Sequence, residues 1–156
     1  MATNTLIQKL DSDGNVSVAT SHRSQYETFI ASETIAANDL VAVDFGKSSD
    51  ADKALYVVQA DSGSATDKCA VGFAVNGGAA GALIKVTVSG IHESANVDGS
   101  TVQGSRLIVG STAGRAGLAA DINEGGASVV AQFPIIAIAC EADATNVATV
   151  FVLKQF

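Results

Sequence analysis

Side chains that could carry out chemistry are few in this chain of 156 residues. Its two histidines, His22 and His92, have no Cys, His or carboxylate at helical or knuckle spacing, so neither has the neighbours that a zinc site needs. The sequence contains no G-x-S-x-G motif, and a Ser-His-Asp or Cys-His set would have to be assembled from distant positions. We therefore predict that both histidines lie in loops or on the surface.

Residues 11–15, DSDGN, are similar to the opening of a calcium-binding loop. The glycine comes two positions early, and the twelfth position holds His22 instead of the bidentate glutamate that such a loop requires. A solvated turn is the interpretation that we favour, and no metal site is predicted.

Two glycine-rich segments have the composition of phosphate-binding loops without the required context. Residues 77–81 lead into a strand pattern, whereas a phosphate cradle stands at the start of a helix. Residues 110–117 have the spacing G-x3-G-x2-G and no following Lys-Ser or Lys-Thr, so they match neither the dinucleotide fingerprint nor the P-loop. Both segments are predicted to be turns, and no cofactor-binding residue is predicted.

Carboxylates are abundant, but Asp50, Asp52, Asp61 and Asp67 fall in polar stretches where a solvated face is their ordinary role. A glycosidase-type acid pair stays open as an alternative, although a chain with 5% aromatic residues has few side chains that could hold a sugar. No catalytic residue is predicted, and we expect that the protein is not an enzyme.

The net charge of −7 and the pI of about 4.5 argue against direct binding of nucleic acid, because the nine Lys and Arg residues are spread singly and form no basic patch. The longest apolar run, 129–140, is interrupted by Gln132 and Pro134 and is too short to span a bilayer. The first 15 residues contain no continuous apolar region of the secretory type. We expect a protein that binds no membrane and folds in the cytosol.

Cys69 and Cys140 each occur in an apolar run typical of a strand. A cysteine in such a run usually behaves as a small hydrophobic residue, so both are predicted to be free, buried thiols. A disulfide between neighbouring strands is the alternative.

The clearest secondary-structure pattern is a hairpin at residues 69–91. Apolar residues alternate in both halves, and Lys85, Thr87 and Ser89 are expected on an outer face. Residues 76–81 supply the turn, and Gly90 is expected at a bulge or bend. Further strands are predicted at 26–30, 40–45, 54–60, 106–109, 128–133, 134–140 and 147–153, one helical turn at 119–124, and a loop at 92–105.

Short strands at intervals of about ten residues, with glycine-rich turns between them, predict an all-β fold. We expect a small antiparallel β-barrel or β-sandwich at residues 26–156, preceded by an extended N-terminal arm at residues 1–25. The arm is polar and contains only scattered apolar residues, so it cannot form a core of its own.

Four segments carry a resemblance to a known family: 35–41 (IAANDLV), 70–74 (AVGFA), 81–86 (GALIKV) and 104–109 (GSRLIV) with Gly114 after it. Their order resembles that of the head-decoration, or capsid cement, proteins of tailed bacteriophages. Those proteins share an "aGdlV" run, a "vGva" strand, a "G..v.V...G" strand and a late "G..ly....G". The likeness covers residues 30–155, with Asn38 where glycine is usual.

The resemblance implies a structural protein of the virion that binds the outer surface of an icosahedral capsid and stabilises contacts between major capsid subunits. It also implies a homo-oligomer, a dimer or a trimer, made in the host cytoplasm and located on the capsid exterior. We expect the contact with the partner to come from the arm and its junction with the body, through the apolar residues Leu6, Ile7, Leu10, Val16, Val18 and Tyr26. The alternative is a tail- or capsid-associated module that binds a host receptor through polar loops at 48–53, 61–68 and 92–105.

Overall fold

The computed structural model describes residues 24–64, 69–119 and 134–154, and these are nearly all β-structure, as predicted. No helix in these ranges is long and apolar enough to cross a membrane. The elements in chain order are β1 (Gln25–Ala31), β2 (Leu40–Val43), α1 (Asp50–Leu55), β3 (Tyr56–Gln59), β4 (Ala70–Ala74), β5 (Leu83–Asn96), β6 (Arg106–Val109), β7 (Ala116–Leu118), β8 (Ala137–Ala139) and β9 (Val147–Val152).

Five strands close into a small barrel in the order β1, β3, β2, β4 and β5, because β5 pairs with both β4 and β1. The predicted barrel is therefore confirmed. The pairing of β1 with β3 is parallel, through Ile30 with Tyr56 and Ala31 with Val57, and so is the isolated bridge between Val97 and Ala116. The expectation of a purely antiparallel arrangement is therefore wrong at these two places. Strand periodicity fixes which face is buried but carries no information on the direction of a non-sequential neighbour.

The long strand β5 also belongs to a second sheet, in the order β5, β9, β8, β6 and β7. Its pairing with β1 ends at Ser89, and its pairing with β9 begins at Gly90 opposite Val152. Gly90 has a φ of +94°, which glycine adopts without steric cost, and a bulge lies just before it opposite Gln25 and Tyr26. The predicted bend is therefore confirmed, and it carries the strand from the barrel into the second sheet.

Two hydrophobic cores follow from this architecture. One fills the barrel, and the other lies between the outside of β2 and β4 and the inner face of the second sheet. All five residues of β4 are buried, since Val71 points into the barrel core and Phe73 into the second core. The β4–β5 hairpin therefore lies at the centre of the molecule.

Several sequence-based boundaries are corrected. The loop predicted from His92 begins later, because β5 continues to Asn96 and gains its stability from β9 rather than from an apolar pattern of its own. Residues 50–55, expected to be loop and then strand, form α1, which Ser49 caps by accepting a hydrogen bond from the Asp52 N–H.

At the C-terminal side of the chain, β8 begins at Ala137 rather than at 134, and Pro134 lies in no strand. The final hairpin of β8 and β9 is confirmed. The predicted strand at 128–133 lies outside the described residues, as does the predicted helical turn at 119–124 apart from its first residue. The arm also lies outside them except for Ser24 and Gln25, and β1 begins at Gln25.

Candidate partner-binding surface

Of the six residues predicted to contact a partner, the structure describes only Tyr26. Leu6, Ile7, Leu10, Val16 and Val18 lie outside the residues that the structure describes. Tyr26 lies on β1 with 47% of its surface exposed, and the Lys85 Nζ atom stands 4.0 Å from the centre of its ring. This one described member of the set is therefore on an accessible surface.

Tyr26 stands at a cleft of about 440 Å³ where β5 passes from the barrel into the second sheet. The chain enters the described body at this cleft, because Ser24 lines it and donates a hydrogen bond from Oγ to the carbonyl oxygen of Ile91 at 2.8 Å. The junction between arm and body is therefore part of the cleft. Its lining residues are Ser24, Tyr26, Asn38, Val75, Thr87, Ile91, His92, Glu93 and Ser94.

His92 is a buried member of the cleft lining, and its imidazole joins three parts of the fold. Its ring stacks on Phe73 of β4 with 5.4 Å between the ring centres. Its Nδ1 lies 3.0 Å from the Thr87 hydroxyl, and its Nε2 lies 3.2 Å from the Asn38 side-chain oxygen. Since that oxygen only accepts, Nε2 carries the proton and donates to it, and Nδ1 accepts from Thr87 in the neutral ring.

The environment of His92 favours the uncharged imidazole. Burial lowers the pKa of His92 below its ordinary value of 6.5, and the nearby Glu93 carboxylate opposes that shift only in part. The prediction of a surface or loop histidine is therefore wrong for His92. The expected outer-face position of Thr87 is also wrong, because the bend at Gly90 folds His92 over it and leaves 1% of Thr87 exposed.

Asp39, next to the cleft, ties the same region together. Its buried carboxylate accepts hydrogen bonds from the Ala36 N–H at 2.9 Å, the Gln59 side-chain amide at 2.6 Å and the Asn96 side-chain amide at 2.9 Å. These donors lie in the turn before β2, on β3 and on β5. The sequence offered only a weak signal for this role, a turn containing adjacent Asn and Asp residues.

This arrangement holds structure together and is poorly suited to catalysis. Both nitrogens of His92 are engaged inside the fold, and Thr87 is too buried to meet a substrate as a nucleophile. Within 24–64, 69–119 and 134–154, no group of three or more His, Cys, Asp or Glu side chains is placed to hold a metal ion.

The two cysteines are free, but they are not buried as predicted. Cys69 is exposed, and Cys140 is half-buried beside the β8–β9 hairpin. Burial raises the pKa of the Cys140 thiol, and the neighbouring Glu141 carboxylate raises it further. Both cysteines lie at the edges of their apolar runs, where a strand pattern does not distinguish a covered position from an open one.

A second surface feature begins at the cleft and crosses the outer face of the second sheet. Ile91 pairs with Phe151, Phe151 pairs with Ile138, and Ile138 pairs with Arg106, so one residue from each of four strands forms a continuous line, named here the outer row. Phe151 and Ile138 are 44% and 37% exposed. The outer row therefore presents apolar side chains to solvent and ends in a cation.

Comparison with known proteins gives no match: neither models of known protein families nor curated protein sequences match this chain. The functional interpretation therefore depends on the geometry described above and on the motif resemblance of the chain itself.

Proposed function

We propose that this chain is a non-enzymatic decoration protein that binds the outside of an icosahedral phage capsid and stabilises contacts between major capsid subunits. The observation that carries the proposal is the backbone at Asn38, which has a φ of +72°. Asn38 occupies the position at which the decoration proteins usually have glycine. Asparagine is among the few residues other than glycine that adopt this left-handed conformation readily, so Asn38 has a backbone conformation that a glycine at this position of the motif would also adopt without steric cost.

The glycines of the other resembling segments also stand where the fold restricts the residue type. Gly81, Gly104 and Gly114 have φ values of +85°, +84° and +76°. Gly114 is further restricted because a Cβ atom there would lie 2.9 Å from the Asp39 carboxyl carbon. The resemblance therefore rests on positions that shape the fold and not on composition alone.

The body has the properties that decoration requires. A closed barrel and a second sheet share β5, the Asp39 carboxylate accepts a hydrogen bond from Gln59, and His92 is hydrogen-bonded to Thr87. A protein bound in many copies to a repeating shell gains its overall hold from many modest contacts and needs no reactive group. Contact with the major capsid protein is assigned to the arm and to Tyr26 at its exit.

The alternative, a receptor-binding module, would use the polar segments at 48–53, 61–68 and 92–105. Two of these offer less loop than the sequence suggested, because α1 occupies 50–55 and β5 continues to Asn96. This observation favours decoration over receptor binding by loops.

Counting the protein in purified virions tests the proposal. We expect on the order of hundreds of copies per particle, because decoration repeats with the shell lattice. Quantitative mass spectrometry against the major capsid protein and one tail protein of the same particles gives this number. A copy number equal to that of the tail protein would overturn decoration and support the receptor-binding alternative.

A further inference from the structure

The turn between β4 and β5 contains Asn76 followed by Gly77, which is the one asparagine–glycine pair in the sequence. An asparagine in this context can react with its own backbone, because glycine has no Cβ atom to obstruct the approach of its amide nitrogen to the preceding side chain. Asn76 and Gly77 are both exposed, so solvent water reaches them. The pair is therefore a candidate for a covalent modification that needs no enzyme.

Three hydrogen bonds hold the Asn76 side chain in the folded protein. Its Oδ1 accepts from the Lys85 N–H at 2.8 Å, and its Nδ2 donates to the carbonyl oxygens of Leu83 at 3.1 Å and of Gly77 at 3.3 Å. Lys85 and Leu83 belong to β5, so the side chain is fixed to the opposite strand of the hairpin. It can rotate towards a reactive geometry only if these bonds break.

The backbone that follows Asn76 is held as well. The Gly78 N–H donates to the Ile35 carbonyl oxygen and the Ile35 N–H donates to that of Gly78, both at 2.9 Å. A Cβ atom at Gly77 would lie 3.0 Å from the Ile35 carbonyl oxygen and 3.1 Å from the Ala37 nitrogen, so the Gly77 backbone lies close to this neighbouring turn. The Gly77 N–H donates to no backbone carbonyl oxygen in the described part of the chain. The nitrogen that would react is therefore not engaged, but the groups on both sides of it are fixed.

We propose that Asn76 is a site of self-catalysed deamidation that the folded turn protects. When the turn opens, the Gly77 nitrogen loses its proton to a solvent base and bonds to the Asn76 Cγ atom. The bond between Cγ and Nδ2 breaks, and Nδ2 takes a proton back and leaves as ammonia. Water then opens the resulting cyclic imide at one of its two carbonyl carbons and gives aspartate or isoaspartate. The reaction is intramolecular and uses only water and base.

The product does not restore the turn. An aspartate at position 76 still accepts from the Lys85 N–H, but a carboxylate has no N–H to donate to the carbonyl oxygens of Leu83 and Gly77 and is repelled by them. An isoaspartate also adds one carbon atom to the main chain between β4 and the turn. Each reaction therefore leaves a permanently weakened β4–β5 turn. The inference does not depend on the proposed function, because it concerns the isolated chain.

The first test is peptide mapping by mass spectrometry of the wild-type chain incubated at pH 8, either folded in buffer or unfolded in guanidinium chloride. We expect conversion of Asn76 in both samples, but at least about tenfold more slowly in the folded protein, because its hydrogen bonds must break before the ring can close. Asn96 is the internal control and should react far more slowly in the unfolded chain, since the branched Val97 follows it. No conversion of Asn76 in the unfolded chain, or equal rates in the two samples, would overturn the proposal.

The second test loosens the turn without changing the reacting pair. Gly81 lies in the same turn with a φ of +85°, so Gly81→Ala introduces strain that opening relieves. We expect this variant to deamidate at Asn76 about fivefold faster than wild type when folded, and at the wild-type rate in guanidinium chloride. Asn76→Gln is the matched control for the chemistry, because its longer side chain cannot form the same ring, and it should release no ammonia from this position. A folded-state rate that Gly81→Ala leaves unchanged would show that opening of the turn does not control the reaction and would overturn the proposal.

Discussion

At the scale of single residues, His92 lies where the barrel meets the second sheet and contacts residues from several elements. Its planar ring contacts Phe73, Thr87 and Asn38 at the same time, and it does so as a neutral imidazole. Protonation would place a charge among buried groups and would reverse the hydrogen bond to Thr87. Protonation of His92 is therefore expected to lower the stability of the fold.

We predict that the free energy of unfolding decreases as the pH falls below about 6.5. The pKa of His92 is lower in the folded protein than its ordinary value of 6.5, so the unfolded chain binds more protons in this range and is favoured by acid. The contribution is complete above pH 6.5 and is lost as the pH falls through the folded-state pKa. One proton gives a slope of at most about 1.4 kcal/mol per pH unit.

Urea unfolding curves recorded at a series of pH values from 8 to 5 give the free energy of unfolding at each pH, and hence this slope. His92→Gln should lower the stability at pH 8 and flatten the slope. His22→Gln is the matched control, because it removes the other histidine of the sequence. Its slope should equal that of the wild-type protein. Equal slopes for wild type and His92→Gln would show that His92 is not the group responsible.

The burial of His92 could not be predicted from the sequence. The spacing of His92 excluded a local zinc site, but burial of a polar residue depends on which strand folds over it. Here that is decided by the bend at Gly90, and pairing of the ring with Thr87 and Asn38 spans 5 and 54 positions of the chain. The exposure of Cys69 was missed for the same reason, since neighbouring elements and not local pattern cover a residue.

At the scale of elements, the backbones of β4 and β5 approach each other closely at Gly72 and Thr87. A Cβ atom at Gly72 would overlap the carbonyl oxygen of Thr87 and lie 2.9 Å from its carbonyl carbon. Because the obstacle is backbone, it cannot move aside as a flexible side chain can. The small residue in this strand therefore permits β4 to be buried on both faces.

We predict that Gly72→Ala lowers the free energy of unfolding by about 3 kcal/mol, the cost of overpacking a site that cannot relax. Gly81→Ala is the matched control: its φ of +85° disfavours alanine, but nothing lies within 4 Å of the added Cβ, so we expect a loss of about 1 kcal/mol. Chemical denaturation of the two variants gives the difference. Equal losses would mean that β4 and β5 separate easily, contrary to the packing described here.

Elements with alternating apolar residues or clear turn signals were predictable. The β4–β5 hairpin, β6 and β9 follow from period-two patterns and glycine-rich turns. The second half of β5 was not, because HESAN has no apolar alternation and becomes a strand through its pairing with β9. The helix α1 was missed because six residues are too few to show helical periodicity, although Ser49, Asp50 and Asp52 are a recognisable helix start.

At the scale of the whole molecule, the all-β class and the barrel followed from composition and strand spacing, whereas the sharing of β5 between two sheets did not. The 14-residue strand β5 belongs to both sheets, so one continuous stretch of backbone joins the barrel to the second sheet. The function that we propose therefore depends on what the segment before β1 adds to these two joined sheets.

We predict that deletion of residues 1–23 leaves the body folded and soluble but abolishes its retention on capsids. Every strand and both cores of the described chain lie after this segment, so the midpoint of thermal unfolding should change little. Retention should be lost because the apolar residues assigned to partner contact, apart from Tyr26, are removed. Co-sedimentation with expanded shells that lack the protein measures retention.

A full-length variant tests whether the apolar side chains of the arm or its backbone binds the capsid. This variant keeps the arm but has serine in place of five apolar residues, Leu6, Ile7, Leu10, Val16 and Val18. Loss of binding in both variants, with unfolding midpoints like that of the wild type, places the contact in those side chains. If only the deletion fails to bind, the backbone of the arm makes the contact, as an added strand would. If the truncated protein binds shells as well as the full chain, the arm does not hold the capsid, and the contact must be sought on the body, first at the cleft beside Tyr26.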